Sequence, residues 1–358
     1  MALLQILAAQ DPADRAVWLE AWRRWPSREV FAHPDYVRLH ETGSARAFCA
    51  LWEEGPATVL YSFLLRDLST EPWFEPGAPR AYDIATAYGY GGPHTWGAEP
   101  SAELRASFDK AFRSWALERR VVSEFIRYSL FGHTLLPPDP DTTALVGPHV
   151  VVGPELDPDV LWPAFAHKVR KNVNRARTCG VTIETEETGS RLDEFLAIYA
   201  QTMERRNAGP EYLFPRSFFE SLNADLRGQF CYFFAVKDGR TVSVELILVS
   251  AEAGYSFLGG SDLSAAAARP NDLLKVEALR WCSRRGLKWF VMGGGFKPDD
   301  GIFRYKLAFA PSGTLPYVQG RRVLVPDLYH QFTQRNAEIV NPGAETPGRS
   351  FFPAYRRV

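Results

Sequence analysis

The sequence predicts an α/β (α+β) protein built from two copies of one plan, each a mixed twisted sheet flanked by helices. A β-hairpin, a helix and a further strand follow one another in the same order in both halves of the chain. A segment rich in proline and glycine, residues 137–158, separates the halves. The 358 residues suffice for two domains, which we place at 1–150 and 151–358. The alternative is that generic α/β patterning repeats by coincidence.

In the first half, β-branched and aromatic residues predict strands over 47–52 and 58–65. Between them lies Glu53-Glu54-Gly55-Pro56, which is typical of a hairpin turn. A helix over 101–120 and a strand over 121–128 are predicted next. The first half therefore ends in the order hairpin, helix, strand.

The second half repeats this order. Strands over 230–237 and 241–249 flank Asp238-Gly239-Arg240, and Asp-Gly is a strong hairpin signal. Gly286 occupies the position where a helix commonly ends in a glycine. The other predicted elements are a strand over 254–259, a helix over 271–285 and a strand over 287–292. In the segment between the halves, the apolar run 144–152 predicts a connecting strand.

Composition excludes several classes of function. A net charge of -1 argues against a general nucleic-acid coat protein, although a local basic groove stays open. No run approaches the roughly 20 apolar residues that cross a bilayer, and residues 1–15 lack the basic start of a secretion signal. We therefore expect a cytoplasmic protein. The four cysteines lie far apart without a Cys-x-x-Cys pair, so we expect no metal site and no disulfide.

Three segments of the second half, rich in basic, aromatic and glycine residues, carry a family resemblance. They are Lys168-Val-Arg-Lys-Asn-Val-Asn-Arg-Ala-Arg-Thr-Cys-Gly-Val, Tyr199-Ala-Gln-Thr-Met-Glu-Arg-Arg-Asn-Ala with Tyr212-Leu-Phe-Pro after it, and the stretch from Tyr255 through Gly293-Gly294-Gly295-Phe296 to Phe303-Arg304-Tyr305-Lys306. The first half adds Tyr82-Asp83 and Tyr88-Gly-Tyr-Gly-Gly-Pro93. As a set, these resemble the Fem-type (FemABX) peptidyltransferases and their GNAT-like relatives.

The resemblance implies tandem duplicated GNAT-like domains, with the family motifs in the second. It also implies an aminoacyltransferase that moves an amino acid from aminoacyl-tRNA onto an amine and forms an amide by direct attack. Aminoacyl-tRNA is then the co-substrate and no other cofactor is needed. The acceptor is a peptidoglycan precursor, nucleotide- or lipid-linked, or a small molecule or peptide in antibiotic biosynthesis. The chain lacks the long helical-hairpin insertion of some cell-wall members, which weakens the case for a cell-wall acceptor.

Two other functions stay open. The first is an N-acyltransferase of the GNAT superfamily that uses acyl-CoA. Such enzymes hold the pyrophosphate of the donor on a glycine-rich turn that opens a helix. At that place this chain has Asp262-Leu-Ser-Ala-Ala-Ala-Ala-Arg-Pro, whose alanines resist the required positive φ, so the sequence favours another donor. The second is a GNAT-like protein without catalysis that binds a ligand or a partner.

The resemblance assigns Lys306 and Tyr255 to catalysis. Aminolysis of an ester passes through an oxyanion, and a fixed ammonium at Lys306 would stabilise it. The alternative is a surface lysine with a buried stem. Phe303, Gly294 and Gly295 are expected to bind substrate. The glycines either let substrate approach the backbone or simply permit a turn with positive φ.

Two further groups are predicted to bind substrates. Lys168, Lys171 and Arg175 are spaced so that they share one face of a helix, where they suit the phosphates of a tRNA or of a nucleotide-linked acceptor. A solvated helix face is the alternative. In the first half, Asp83 and Tyr88 are predicted to orient the amine acceptor.

Overall fold

The computed structural model describes residues 2–209, 212–295, 297, 299–340 and 351–357. Its strands are β1 (Leu3–Ala8), β2 (Ala45–Glu54), β3 (Ala57–Asp67), β4 (Tyr82–Ala85), β5 (His94–Trp96), β6 (Val121–Arg127), β7 (Thr143–Val152), β8 (Thr182–Glu186), β9 (Phe230–Lys237), β10 (Arg240–Val249), β11 (Ala253–Ser261), β12 (Trp289–Gly293) and β13 (Thr314–Val323). Its α-helices are α1 (Pro12–Arg24), α2 (Pro34–Arg38), α3 (Ala102–Glu118), α4 (Pro158–Leu161), α5 (His167–Thr178), α6 (Leu192–Arg206), α7 (Arg216–Asp225), α8 (Pro270–Arg284), α9 (Gly301–Leu307) and α10 (Pro326–Ile339). Within these described residues, none of the helices has both the length and the apolar composition that a membrane crossing needs.

The chain forms two compact units. The first comprises Met1–Pro26, Phe31–Val146 and Tyr317–Val358, and the second comprises Ser27–Val30 and Gly147–Pro316. We predicted one boundary, at residue 150, with everything after it in the second domain. The structure differs from this at the end of the chain. Residues from Tyr317 onward belong to the first unit because β13 pairs with β6 there.

In the first unit, β1, β2, β3 and β4 pair antiparallel in that order, and β5 lies beside β3. Strand β4 then pairs parallel with β6, which pairs antiparallel with β13. Helix α3 connects β5 to β6 and packs Phe112 against Tyr61 and Phe63 on one face of this sheet. A second cluster joins Trp73 to Phe332 of α10 and to Tyr355, which ties the end of the described chain to this unit.

The second unit repeats the pattern. Strands β8, β9, β10 and β11 pair antiparallel in that order, β11 pairs parallel with β12, and β12 pairs antiparallel with β7. Helix α8 connects β11 to β12, as α3 does in the first unit, and buries Val276 and Leu279 in the core. The predicted α/β class, the mixed sheets and the duplicated plan are thus confirmed. The predicted connecting strand 144–152 is β7.

The parallel pair of the second unit is short. The register joins Ala253–Tyr255 of β11 to Trp289–Val291 of β12, and β11 then runs on to Ser261. Two consecutive glycines, Gly294 and Gly295, follow the end of β12. The carboxyl ends of neighbouring parallel strands are where α/β sheets commonly place their sites.

Candidate active site

Lys306 lies on α9, which begins after Asp300. The Asp300 carboxylate accepts a hydrogen bond from the backbone N–H of Phe303 (2.7 Å) and so caps the helix. One turn later, Nζ of Lys306 donates to the carbonyl oxygen of Gly294, at 2.7 Å. Burial lowers the pKa of Lys306 to about 8, and the ammonium of Lys275 adds to this effect. The predicted catalytic lysine is therefore a partly buried ammonium fixed at the end of β12.

A buried ion pair lies near this lysine. Glu245 of β10 pairs with Lys275 of α8, and their side chains are 5% and 13% exposed. Lys275 also donates to the hydroxyl of Ser256 on β11, at 2.6 Å. Both charges act on Lys306: the carboxylate of Glu245 raises its pKa and the ammonium of Lys275 lowers it. The pair was not predicted, because its residues come from two elements 30 positions apart.

Gly294 lies directly against His149 of β7. A Cβ at Gly294 would lie 2.8 Å from Cδ2 of His149, and one at Gly295 would lie 2.5 Å from Oδ1 of Asp300. Neither distance leaves room for a side chain unless the neighbour moves. Burial, with the charge of Lys306 beside it, lowers the pKa of His149 to about 4. At neutral pH the site thus holds a neutral imidazole next to an ammonium.

In the structure, Tyr255 and Phe303 both contact other residues of the protein. The hydroxyl of Tyr255 donates to the carboxylate of Glu29 at 2.7 Å, and Ser250 donates to the same oxygen at 2.6 Å. Burial raises the pKa of Glu29 to about 7. Phe303 packs in the hydrophobic core of the second unit and anchors α9. A catalytic role for Tyr255 and a substrate contact for Phe303 stay predictions.

Lys168, Lys171 and Arg175 share the exposed face of α5, whose opposite face buries Val169 and Val173. Nε of Arg175 donates to the carbonyl of Ala267 at 2.5 Å, in the 3-10 helix Leu263–Ala268. The predicted basic face is therefore present.

This basic face borders the beginning of α8. Asn172 of α5 donates to the carboxylate of Asp272 in the first turn of α8, at 3.1 Å, and the charge of Lys168 also acts on that carboxylate. Burial nevertheless raises the pKa of Asp272. Helix α8 begins with Pro270, which has no N–H, after Arg269 at a φ of 59°. The first turn of α8 therefore carries an acidic side chain close to the basic face of α5.

In the first unit, Asp83 lies on β4 and is 0% exposed. Its two oxygens accept from Arg66 at 2.7 and 3.0 Å and from Arg356 at 2.7 and 3.3 Å. The hydroxyl of Tyr355 adds a contact of 3.2 Å. The structure therefore makes Asp83 an anchor between two arginines, and its role in orienting an acceptor amine stays a prediction. Tyr88 lines a cavity of the same unit.

The four cysteines are unpaired thiols. Over the part of the chain that the structure describes, no group of three or more His, Cys, Asp or Glu side chains is arranged to hold a metal ion.

Comparison with known proteins agrees with this fold. Residues 164–307, which contain Lys306 and the basic face of α5, match the family model of an acetyltransferase (GNAT) domain. The structure of FemX is similar with a TM-score of 0.65 at 13% identity, over 88% of this chain and 97% of that one. At such identity the likeness shows a shared fold. No curated protein matches the sequence.

Two further structures share the fold. One is the C-terminal domain of a putative lysylphosphatidylglycerol synthetase from Agrobacterium fabrum, with a TM-score of 0.51 at 16% identity, over 88% of this chain and 95% of that one. The other is a tandem GNAT protein from the clavulanic acid biosynthesis pathway, with a TM-score of 0.50 at 12% identity, over 90% and 98%. The tandem GNAT fold and the likeness to Fem-type proteins, both predicted from sequence, are confirmed.

Proposed function

We propose that this chain, which has the tandem GNAT fold of Fem-like proteins, is an acyltransferase that moves an aminoacyl group from aminoacyl-tRNA onto an amine. The observation that carries the proposal is the ammonium of Lys306, fixed on the carbonyl of Gly294 at the end of β12. It lies within the region that matches a GNAT domain.

In this reaction the acceptor amine attacks the carbonyl carbon of the aminoacyl ester. A C–N bond forms and the carbonyl oxygen becomes an oxyanion. When the oxyanion collapses to the amide carbonyl, the ester C–O bond breaks, the ribose oxygen takes up a proton and the attacking nitrogen loses one to solvent. An ammonium has three N–H donors, and Gly294 takes one of those on Lys306, so the others are available to the oxyanion. With a pKa of about 8, most Lys306 side chains are protonated at pH 7. The same pKa is near enough to neutral for the ammonium to donate a proton to the departing ribose oxygen.

Two features near α8 support a tRNA donor over acyl-CoA. The Asp272 carboxylate in the first turn of α8 would repel a pyrophosphate placed there. Lys168 and Lys171 are exposed on the neighbouring α5. Their ammonium groups are placed to bind the phosphates of an RNA backbone at the protein surface. The Fem-type resemblance of the same helix supports this donor as well.

The acceptor is an amine on a peptidoglycan precursor, nucleotide- or lipid-linked, or on a small molecule or peptide of an antibiotic pathway. The name of one structural relative, lysylphosphatidylglycerol synthetase, describes an aminoacylated lipid, and that of another places it in clavulanic acid biosynthesis. An N-acyltransferase using acyl-CoA is the second candidate, because the matched domain model is that of an acetyltransferase.

A donor screen tests the proposal. The purified protein is incubated with cell extract as acceptor and either mixed radiolabelled aminoacyl-tRNAs or radiolabelled acyl-CoAs, with Lys306→Met as the inactive control. We expect label to enter an alkali-stable amide from the tRNA pool alone, and RNase treatment to abolish the transfer. Transfer from acyl-CoA alone would establish the second candidate. Transfer from neither donor would favour a binding protein.

A further inference from the structure

The first unit contains a cavity of about 680 Å³ on the face of its sheet that α3 does not cover. Phe63 of β3 faces α3, so the alternate residues Leu64 and Arg66 face the other way, into the cavity. The strand registers place Leu64 opposite Ala85 and Ala85 opposite Phe125. Phe125 in turn is opposite Arg321 of β13. A row of cavity-lining residues thus crosses four strands.

Four arginines line this cavity: Arg66, Arg127, Arg321 and Arg356. The carboxylate of Asp83 binds two of them, Arg66 and Arg356, and Glu71 also binds Arg356. This cluster of arginines is not predictable from sequence, because Arg66 and Arg321 are far apart in the chain.

Arg127 is held by uncharged groups. Its Nη1 donates to the carbonyl of Thr86 at 2.9 Å, and its guanidinium lies 4.7 Å from the centre of the Phe125 ring. Burial lowers its pKa, and the nearby guanidinium of Arg66 lowers it further. Arg127 is thus a partly buried cation near a second cation, an arrangement that an added anion would stabilise.

The lining also suits the uncharged part of a ligand. Tyr88, Phe125, Phe351 and Phe352 add aromatic surface to the arginines. The volume is within the range of small-molecule sites, which combine apolar walls with a few polar groups that fix orientation. It is larger than a lone inorganic ion requires. Guanidinium groups bind carboxylates and phosphates with paired N–H donors.

We propose that this cavity binds a small organic anion, a carboxylate or a phosphate ester, whose acidic oxygens contact Arg127 and Arg321 and whose organic part lies against Tyr88 and Phe125. The site lies in the first unit, and the proposal does not rest on the transfer reaction proposed for Lys306. Binding is therefore measurable without any assay of transfer.

The test is thermal melting and titration calorimetry of the full chain with citrate, pyrophosphate and glucose 6-phosphate, at constant ionic strength. Glucose is the uncharged control, and citrate against the two phosphates separates carboxylate from phosphate recognition. We expect at least one anion to raise the melting temperature of the wild type, and glucose to leave it unchanged. Arg127→Met should weaken that binding at least about tenfold, the usual effect of losing a charge-assisted hydrogen bond.

Two other variants complete the test. Arg321→Gln removes a second cation and replaces Arg127→Met if that protein does not fold. Arg113→Gln is the matched control, because Arg113 is exposed on α3 outside the cavity. The proposal is overturned if none of the three anions binds the wild type. It is equally overturned if binding is unchanged in both Arg127→Met and Arg321→Gln.

Discussion

A hydrogen bond joins Lys306 to Gly294: the ammonium donates to the Gly294 carbonyl at 2.7 Å. Because Gly294 has no side chain, there is room for His149 beside it. The position of the ammonium therefore depends on the backbone at the end of β12. Because an ammonium stabilises an oxyanion only from a fixed position, this hydrogen bond is central to the proposed mechanism.

Replacing Lys306 with methionine should lower kcat and kcat/KM together by about a hundredfold or more, since the lost interaction forms only in the transition state. Methionine keeps most of the volume of the stem, so the melting temperature should stay close to that of the wild type. Lys306→Arg should restore activity only in part, because its charge is less compact. Lys110→Met, at an exposed position of α3, is the control. Normal turnover of Lys306→Met would show that another group stabilises the oxyanion.

Activity should fall as pH rises through about 8, where Lys306 loses its proton. If the lysine is responsible, this decline of activity with pH is absent from Lys306→Met. Measuring kcat of both proteins over a pH series decides this.

The lowered pKa of Lys306 also affects stability. The pKa in the folded chain lies below the unfolded value of about 10.4, so the unfolded chain binds more protons between these values. The contribution of Lys306 to stability should therefore rise from about pH 8 to about pH 10.4, while activity declines.

Gly294→Ala should reduce kcat by about tenfold or more. The new Cβ would meet His149 at 2.8 Å and displace the carbonyl that holds Lys306. Gly301→Ala is the control, because a Cβ at Gly301 has no neighbour within 4 Å. The double variant Gly294→Ala/His149→Ala should recover part of the loss, since it removes the obstructing ring. No recovery, with both single variants folded, would mean that the clash is not what limits turnover.

Neutralising the basic face of α5 should weaken donor binding and flatten its salt dependence. Each lost phosphate contact should reduce the slope of log K against log salt by about 0.7 to 0.9. The variant is Lys168→Ala/Lys171→Ala/Arg175→Ala, and Lys110→Ala/Arg113→Ala on α3 is the matched control. If the triple variant binds aminoacyl-tRNA like the wild type across the salt series, the face is merely solvated.

Asp83→Ala should destabilise the chain by about 2–3 kcal/mol, because it leaves the partly buried guanidinium of Arg66 without this carboxylate and that of Arg356 with Glu71 alone. Chemical denaturation measures this loss, with Asp225→Ala at an exposed position as the control. An acceptor-binding role would give the opposite result: a raised KM for the acceptor with unchanged stability.

Hydrophobic periodicity and turn residues were sufficient to predict both hairpins, α3, α8 and the duplicated plan, since these depend on neighbours along the chain. The resemblance to Fem-type sequences singled out Lys306, whose catalytic role stays a prediction. Pairings across long separations were not predictable. Asp83 binds an arginine 273 positions away, and Tyr255 binds a glutamate 226 positions away. His149 had one local signal, as a polar residue within the apolar run of β7.

The antiparallel partner of β6 in the first unit is β13, which follows the whole second unit in the chain. A ribosome completes residues 147–316 before it reaches most of β13. During translation, the nascent first unit therefore has an open edge at β6, whereas the second unit already has all of its strands. Vectorial synthesis thus favours the second unit, with Lys306 in place, as the earlier folding intermediate, and β6 keeps an unpaired edge until β13 has been synthesised.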